Sequence, residues 1–453
     1  MRAVAFLWLW AGCSTATTVF ERPGGGNPAS CGLDQAAFCE TFDTPAPGGR
    51  GGDLDERAWS FARWAHAVQY DWLRLPASTM NDHVFPASFC GMPFSGILPP
   101  ADVRICDGPS KTGVPSFQLN EVFDDQAAFA LHSMRIRQPF DFAGRVGKVV
   151  WDVDAKVNPF NTGHGWWFEV WITADPAPLP HDHLDGVTSL PRNGVGFVFE
   201  NGADCPEDAA AWNNALENVK VTHDDQLFHD YPFYQIGQTD RRCFRVADAR
   251  LNHFELRIDK TRAELWASDF DDPSNLILRA SVENLDLSFE RGYVHFEHGG
   301  LNAAEDGNVT SSQTFRWDNL GFDGPTLPLP RSYDVPDNTE MLSGGVQLGW
   351  YIHDGLPHLF TVHGVELSGA LSASFNFALQ AGPGTALTYR LNGNAPHSFV
   401  YPDTGVPGGT HGFSVTAPLS ELLPGDNTVE VQVPTTATVE SIGALDLTVE
   451  VAR

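Results

Sequence analysis

Apolar and polar residues alternate in short runs along most of this chain, with a period of two. In GWWFEVWIT, Trp166, Phe168, Val170 and Ile172 fall on one face, and Trp167, Glu169 and Trp171 on the other. In GYVHFEHGG, Val294 and Phe296 oppose Tyr293, His295 and Glu297. In HSMRIRQ, Met134 and Ile136 oppose Ser133, Arg135 and Arg137. A strand reads this way when one face packs on a core and the other carries polar and aromatic groups. Further runs such as KVVWDVDAKV, VGFVFENG, HFELRID, AELWAS and FRWDNLGF lie between clusters of turn residues. The stretch DAAAWNNALENVK carries helical spacing instead, and predicts one short helix near Cys205. The pattern as a whole predicts an all-β sandwich.

The character of the chain changes after GFDGPTLPLPRSYDVPD. Pro325, Pro328 and Pro330 mark a linker over residues 326–336. From residue 326 on there are no cysteines and no lysines, three arginines and twelve acidic residues. Runs such as FSVTAPL, NTVEVQV and ALDLTVEV alternate strictly, with GDN, NGN and PGG turns between them. They predict a smaller accessory β-sandwich over residues 337–453, with weak similarity to immunoglobulin-like or galactose-binding-like modules. The larger sandwich is expected over residues 31–325.

Composition narrows the partners. The 453 residues carry 28 basic and 57 acidic side chains, a formal charge of -29. Nucleic acid, anionic lipid surfaces and strongly anionic polysaccharides all require a basic face, so these classes are disfavoured. The N-terminal MRAVAFLWLWAGC has one arginine and an apolar run too short to span a bilayer, which predicts an export signal over residues 1–13. Trp10-Ala11-Gly12-Cys13 resembles a lipobox, in which Cys13 would be lipidated; the alternative is plain secretion. Residues 14–30, small, polar and glycine-rich, read as a tether. Setting Cys13 aside leaves Cys31, Cys39, Cys90, Cys106, Cys205 and Cys243, an even set that suits an oxidising compartment.

Two ends of the larger sandwich carry a family resemblance. FCETFD (Phe38 to Asp43), followed by LDERAWSF, is similar to the entry strand and following turn of the concanavalin A-like lectin/glucanase superfamily. FRWDNLGFDGP (Phe315 to Pro325) is similar to its closing strand. The resemblance implies a jelly-roll sandwich of the kind shared by laminarinases, legume lectins and laminin G-like modules. It does not fix a function, because the superfamily holds both enzymes and binders. The laminarinase-type E-x-D-x-E dyad is absent: after Glu169 come Trp171, Thr173 and Ala174 where that pattern needs acids.

The polar faces of these strands supply the candidate site. Arg135, Arg137, Trp167, Glu169, Trp171, Tyr293, His295 and Glu297 would line a groove with stacking rings, carboxylates and guanidinium groups. Sugars are recognised by that mixture, since rings cover C–H faces and charged groups bind hydroxyls. Glu169 and Glu297, on different strands, are also the candidate catalytic pair of a retaining glycoside hydrolase. A third reading is a structural surface module whose face is covered by its own loops or by the second sandwich.

Two metal readings arise. HDHLDG (His181 to Gly186) has H-x-H-x-D spacing, but Gly186 stands where a metallo-β-lactamase-type site needs a third histidine, and the fold differs. A zinc site there would need a distant ligand such as His223 or His229; the alternative is a polar loop. The superfamily resemblance implies a structural calcium between entry and closing strands, held by Glu40 or Asp43 and by Asp318. The alternative role for Asp318 is to cap a turn or pair with Arg316. The reading reached is an extracellular glycan-binding protein, with glycan cleavage as the alternative.

Overall fold

The computed structural model describes residues 31–452, except 42–56, 67–83, 90–91, 98–100, 107–115, 124–128, 156–163, 180–190, 202–211, 224–225, 233–242, 247–251, 270–271, 273, 303–310, 336–349, 352–354, 383, 402–409 and 434–440. The fold is all-β: a jelly-roll sandwich followed by a smaller sandwich.

The first sheet of the larger sandwich runs in the order Leu276–Glu283, Arg262–Ser268, Asn252–Ile258, Gly147–Ala155, Ser311–Asp323, Ser116–Phe123, Ala101–Cys106. The second runs Gln226–Pro232, Trp212–His223, Gly194–Asn201, His164–Thr173, Arg291–Asn302, Phe129–Ile136, Trp59–His66. Neighbours in each sheet are antiparallel, and many are distant in sequence, the crossovers that jelly rolls require.

The apolar positions of the alternating runs meet between these sheets. Val149, Trp151 and Val153 from the first face Phe168, Val170, Ile172, Val294 and Phe296 from the second, all within one buried cluster. Phe168 stacks on Phe199 at 4.3 Å and Trp151 on Phe254 at 5.2 Å. Such ring pairs add about 0.5–1.5 kcal/mol each beyond the area they bury.

The two ends carrying the superfamily resemblance pair with each other. Ala36–Glu40 runs antiparallel to Ser311–Asp323, with Phe38 opposite Phe322 and Glu40 opposite Leu320. A disulfide joins Cys31 to Cys39 beside that pairing, and Cys31 and Leu33 pack on Val150. Neither Cys90 nor Cys205 falls among the described residues.

The expected helix near Cys205 is a strand. Trp212–His223 pairs with Gly194–Asn201 on one side and Gln226–Pro232 on the other. The register shifts between Val198 and Phe199, so that Asn218 opposes Val198 while Leu216 opposes Phe199. The extra residue places Leu216 and Val219 in the same core, three apart, and this bulge is what imitates helical spacing. Pairing on both edges overrides local preference.

The smaller sandwich stacks two antiparallel sheets. One orders Arg331–Asp334, Ser441–Val451, Ala370–Gln380, Thr410–Thr416; the other orders His358–Val365, Gly425–Gln432, Ala386–Leu391, His397–Val400. Its core includes Phe375, Phe377, Phe413, Leu445, Leu447 and Val449. Arg331–Asp334, inside the stretch expected as linker, already belongs to this sandwich through pairing with Ser441–Val451.

Candidate functional site

The outer face of the second sheet brings together the polar positions singled out from sequence. Strand register arranges them in rows. One row reads Ser60, Arg135, His295, Trp171, Gly196, Lys220 across six strands. The next reads Ala62, Ser133, Glu297, Glu169, Val198, Asn218. A third holds Leu131, Gly299, Trp167 and Glu200. The alternation alone predicts which residues share a face; only the register shows that Glu169 and Glu297 are direct cross-strand partners.

That pairing sets the electrostatics. Directly opposed residues of an antiparallel pair have Cα atoms roughly 4.5–5.5 Å apart, so two carboxyl groups on one face are forced close. Glu169 and Glu297 are 1% and 0% exposed. Burial, and then the charge of Glu169, pushes the Glu297 carboxyl well above the ordinary carboxylate range. Glu169 is held by Trp171, whose indole Nε1 donates to its Oε2 at 2.5 Å. The pKa of Glu297 is thus raised by burial and by its neighbour's charge, while the Trp171 indole engages Glu169.

Trp171 reaches Glu169 because its neighbour in the row has no side chain. A Cβ on Gly196 would lie 2.3 Å from the indole Cε2, so only glycine leaves room for the ring. Trp171 was expected to offer a stacking plane; it is fully buried, lying over Gly196. His295, also fully buried, shares a 2.9 Å hydrogen bond between its Nε2 and Thr173 Oγ1. The Thr173 hydroxyl also donates to the Asp175 carbonyl at 2.8 Å.

The remaining predicted groups meet the C-terminal sandwich. Arg135 and Arg137 are 5% and 3% exposed, and a guanidinium nitrogen of each lies 3.8 Å from Asp446 Oδ2. Ser60 Oγ donates to the same oxygen at 3.3 Å, and Arg137 Nε donates to the Trp59 carbonyl at 2.8 Å. Tyr293 donates its hydroxyl to Glu450 at 2.8 Å, and Arg291 approaches Glu450 at 3.5 Å. Burial and the Glu450 charge raise the Tyr293 pKa, which keeps the phenol a donor. A Cβ on Gly412 would lie 1.8 Å from the Pro178 carbonyl oxygen, so the two bodies touch backbone to backbone there.

The face expected to be an open groove is therefore closed at its Arg135 end. Asp446 and Glu450 escaped sequence reasoning, although ALDLTVEV places Asp446, Thr448 and Glu450 on one face of their strand. Gly196 and Gly412 were missed as well; a glycine inside an alternating run is the signal that could have found them.

The metal positions divide. Asp318 is buried, and its Oδ1 accepts from the Asn319 amide at 2.7 Å, at the register irregularity between Asp318 and Gly321 where Asn319 takes φ 51. It pairs in register with Asp152, whose carboxylate is occupied by His253 Nδ1 at 2.6 Å and by the Asn319 side-chain amide. Glu40 lies on the adjoining entry strand, and Asp43 falls outside the described residues. Among the described residues, no three His, Cys, Asp or Glu groups are arranged to hold a metal. His181 and His183 lie outside the described residues.

No family model and no curated protein matches the chain. Solved lectin domains do. A VIP36 exoplasmic/lumenal domain in a Ca2+/Man2-bound form is 13% identical, covering 49% of this chain and 82% of that one, with a TM-score of 0.27. Peanut lectin bound to a 9mer peptide is 9% identical, covering 63% and 97%, with a TM-score of 0.30. Lectin UEA-II complexed with galactose is 12% identical, covering 64% and 100%, with a TM-score of 0.30. Likenesses this remote carry no argument about function, and the jelly-roll assignment stands on the sheet order.

Proposed function

We propose that the chain binds carbohydrate on the polar face of its second sheet, at the rows carrying Trp167, Glu169 and Glu297. The observation behind this reading is the Glu169–Glu297 pair, two opposed and buried carboxyl groups with Trp171 donating to one of them. Opposed like charges cost stability, and perturbed carboxyls of this kind concentrate at functional sites. Trp167 occupies the next row, in register with Gly299 and Glu200. Binding takes place outside the cell, after export by residues 1–13 and with Cys13 as a lipid anchor. None of the described helices is long and apolar enough to cross a membrane.

A second reading, cleavage by a retaining mechanism, is favoured by the same register. Glu297, whose pKa is raised by burial and by the Glu169 charge, would serve as acid, and Glu169 would serve as nucleophile. A structural calcium shared by Glu40 or Asp43 and Asp318 is proposed with it; chelator should then lower the melting temperature.

The deciding experiment is a glycan screen on protein beginning at Ser14, reading binding and reducing-end release together, with calcium and with chelator. Binding without release, lost in Trp167→Ala, is the expected result. Release abolished by Glu169→Gln would replace the binding reading with hydrolysis. Absence of both would leave the third reading, a structural module.

A further inference from the structure

The two guanidinium groups of Arg135 and Arg137 project from one strand onto one face, and the carboxylate between them belongs to a different sandwich. The separation is 3.8 Å on each side. Charge-assisted hydrogen bonds from guanidinium to carboxylate close to about 2.7–2.9 Å and often form a two-pronged fork. Asp446 makes the Coulombic contact without the fork, because its backbone is fixed in Ser441–Val451 by pairing with Ala370–Gln380 and Arg331–Asp334. A carboxylate not tethered to a strand could close that distance.

Among the described residues, the contact that delivers Asp446 includes several polar pairs. Its named partners are Ser60, Arg135, Arg137, Arg291 and Tyr293 on one body, with Asp446 and Glu450 on the other. Polar interfaces between bodies of one chain behave like transient protein–protein contacts, and relative motion is their default. The Arg135 row is also directly beside the Glu169–Glu297 row. Glu169 and Glu297 are themselves buried, so a sugar would bind beside that row, with its neighbouring unit toward the first.

We infer that Arg135 and Arg137 form a carboxylate subsite of the glycan site, occupied here by the chain's own Asp446, and that the C-terminal sandwich is a cap displaced by a uronic acid. The inference rests on the glycan-binding reading above and names the ligand class for it. The formal charge of -29 still opposes polyanions. The ligand is therefore a glycan bearing an isolated uronic acid among neutral sugars, not a continuous acidic polymer.

Calorimetry on the full chain tests this with three probes: glucuronic acid, its methyl ester and glucose. Hydrogen exchange of residues 441–451 is followed alongside. Glucuronic acid should bind about tenfold more tightly than its ester, because only the free acid can take both guanidinium groups. Exchange across 441–451 should accelerate when it binds. Asp446→Asn should tighten glucuronic acid binding about tenfold, since a cap lowers apparent affinity by the fraction of open molecules. Equal binding of acid and ester would overturn the carboxylate subsite while leaving glycan binding intact. Unchanged exchange with glucuronic acid bound would overturn the cap. These two readouts use the wild-type chain, so they decide even if Asp446→Asn fails to fold. If no probe binds and the broader glycan screen is also blank, the underlying reading falls; if only these probes fail while other glycans bind, the uronic acid assignment alone falls.

Discussion

Two acidic sites lie in neighbouring parts of the same sheet face. At one, Glu297 opposes Glu169 across adjacent strands, and burial and the Glu169 charge raise the Glu297 pKa. At the other, Asp446 enters from a separate sandwich and lies between Arg135 and Arg137. The first is built wholly into one sheet and carries like charges. The second is assembled across two bodies and carries opposite ones. A buried acid can be accommodated by neutralisation or by partners, and these two sites should respond oppositely to the same kind of substitution.

The largest effect is expected at the paired site. Asp446→Ala leaves two guanidinium groups without the carboxylate between them, a loss of about 3–5 kcal/mol when such a charge stays buried. Urea unfolding followed by tryptophan fluorescence measures it. A loss below 0.5 kcal/mol, on the order of an exposed pair, would show that water reaches the arginines and that the sandwiches are apart in solution.

Gly412→Ala attacks the same interface without touching a charge. A Cβ there meets the Pro178 carbonyl, and overpacking of this kind costs about 1–3 kcal/mol. Limited proteolysis should cut between the sandwiches faster than in the wild type. An unchanged digestion pattern would mean that the contact is not rigid enough to feel one methyl group.

The like-charge site should move the other way. Glu297 has a folded pKa raised above its ordinary value of 4.5. Below that value the proton is bound in both states and the contribution is fully present; it is lost as pH rises through the folded pKa, because the unfolded chain has already released its proton. Glu297→Gln should therefore be near neutral at pH 4.5 and stabilising by about 1–2 kcal/mol at pH 8. Melting curves at the two pH values check the sign, and destabilisation at pH 8 would refute the assignment.

The smallest effect is expected at a half-buried charge away from the second sandwich. Arg257 stacks on Trp266 at 4.5 Å on the outer face of the first sheet and also pairs with Glu255. Arg257→Ala should cost only about 0.5–1 kcal/mol, with little pH dependence. A loss as large as that of Asp446→Ala would remove the distinction between buried and half-buried charge on which the comparison depends.

Much of this architecture is legible in the sequence because strand alternation is a local signal. The faces of GWWFEVWIT, GYVHFEHGG and HSMRIRQ are assigned correctly, since Phe168, Val170, Ile172, Val294, Phe296, Met134 and Ile136 all enter the core. The entry and closing segments pair with each other, which their separate patterns do not state. The helix near Cys205 was misread because a β-bulge gives Leu216 and Val219 the spacing of a helix face. The closure of the polar face was not legible. Arg135 and Asp446 lie more than three hundred positions apart, and each sits on a run that alternates normally. Nothing local distinguishes a polar face awaiting a ligand from one awaiting another domain. That distinction depends on tertiary contact, as does the opposition of Glu169 and Glu297.

The most direct test of the account compares glucuronic acid binding to the full wild-type chain and to its Gly412→Ala variant by calorimetry. The substitution changes no polar group on the sheet face and only unseats the cap. The account predicts tighter binding by the variant, about tenfold if one molecule in ten of the wild type is open. Equal or weaker binding by a variant whose interface has demonstrably loosened would contradict it, and would make the C-terminal sandwich a fixed part of the fold.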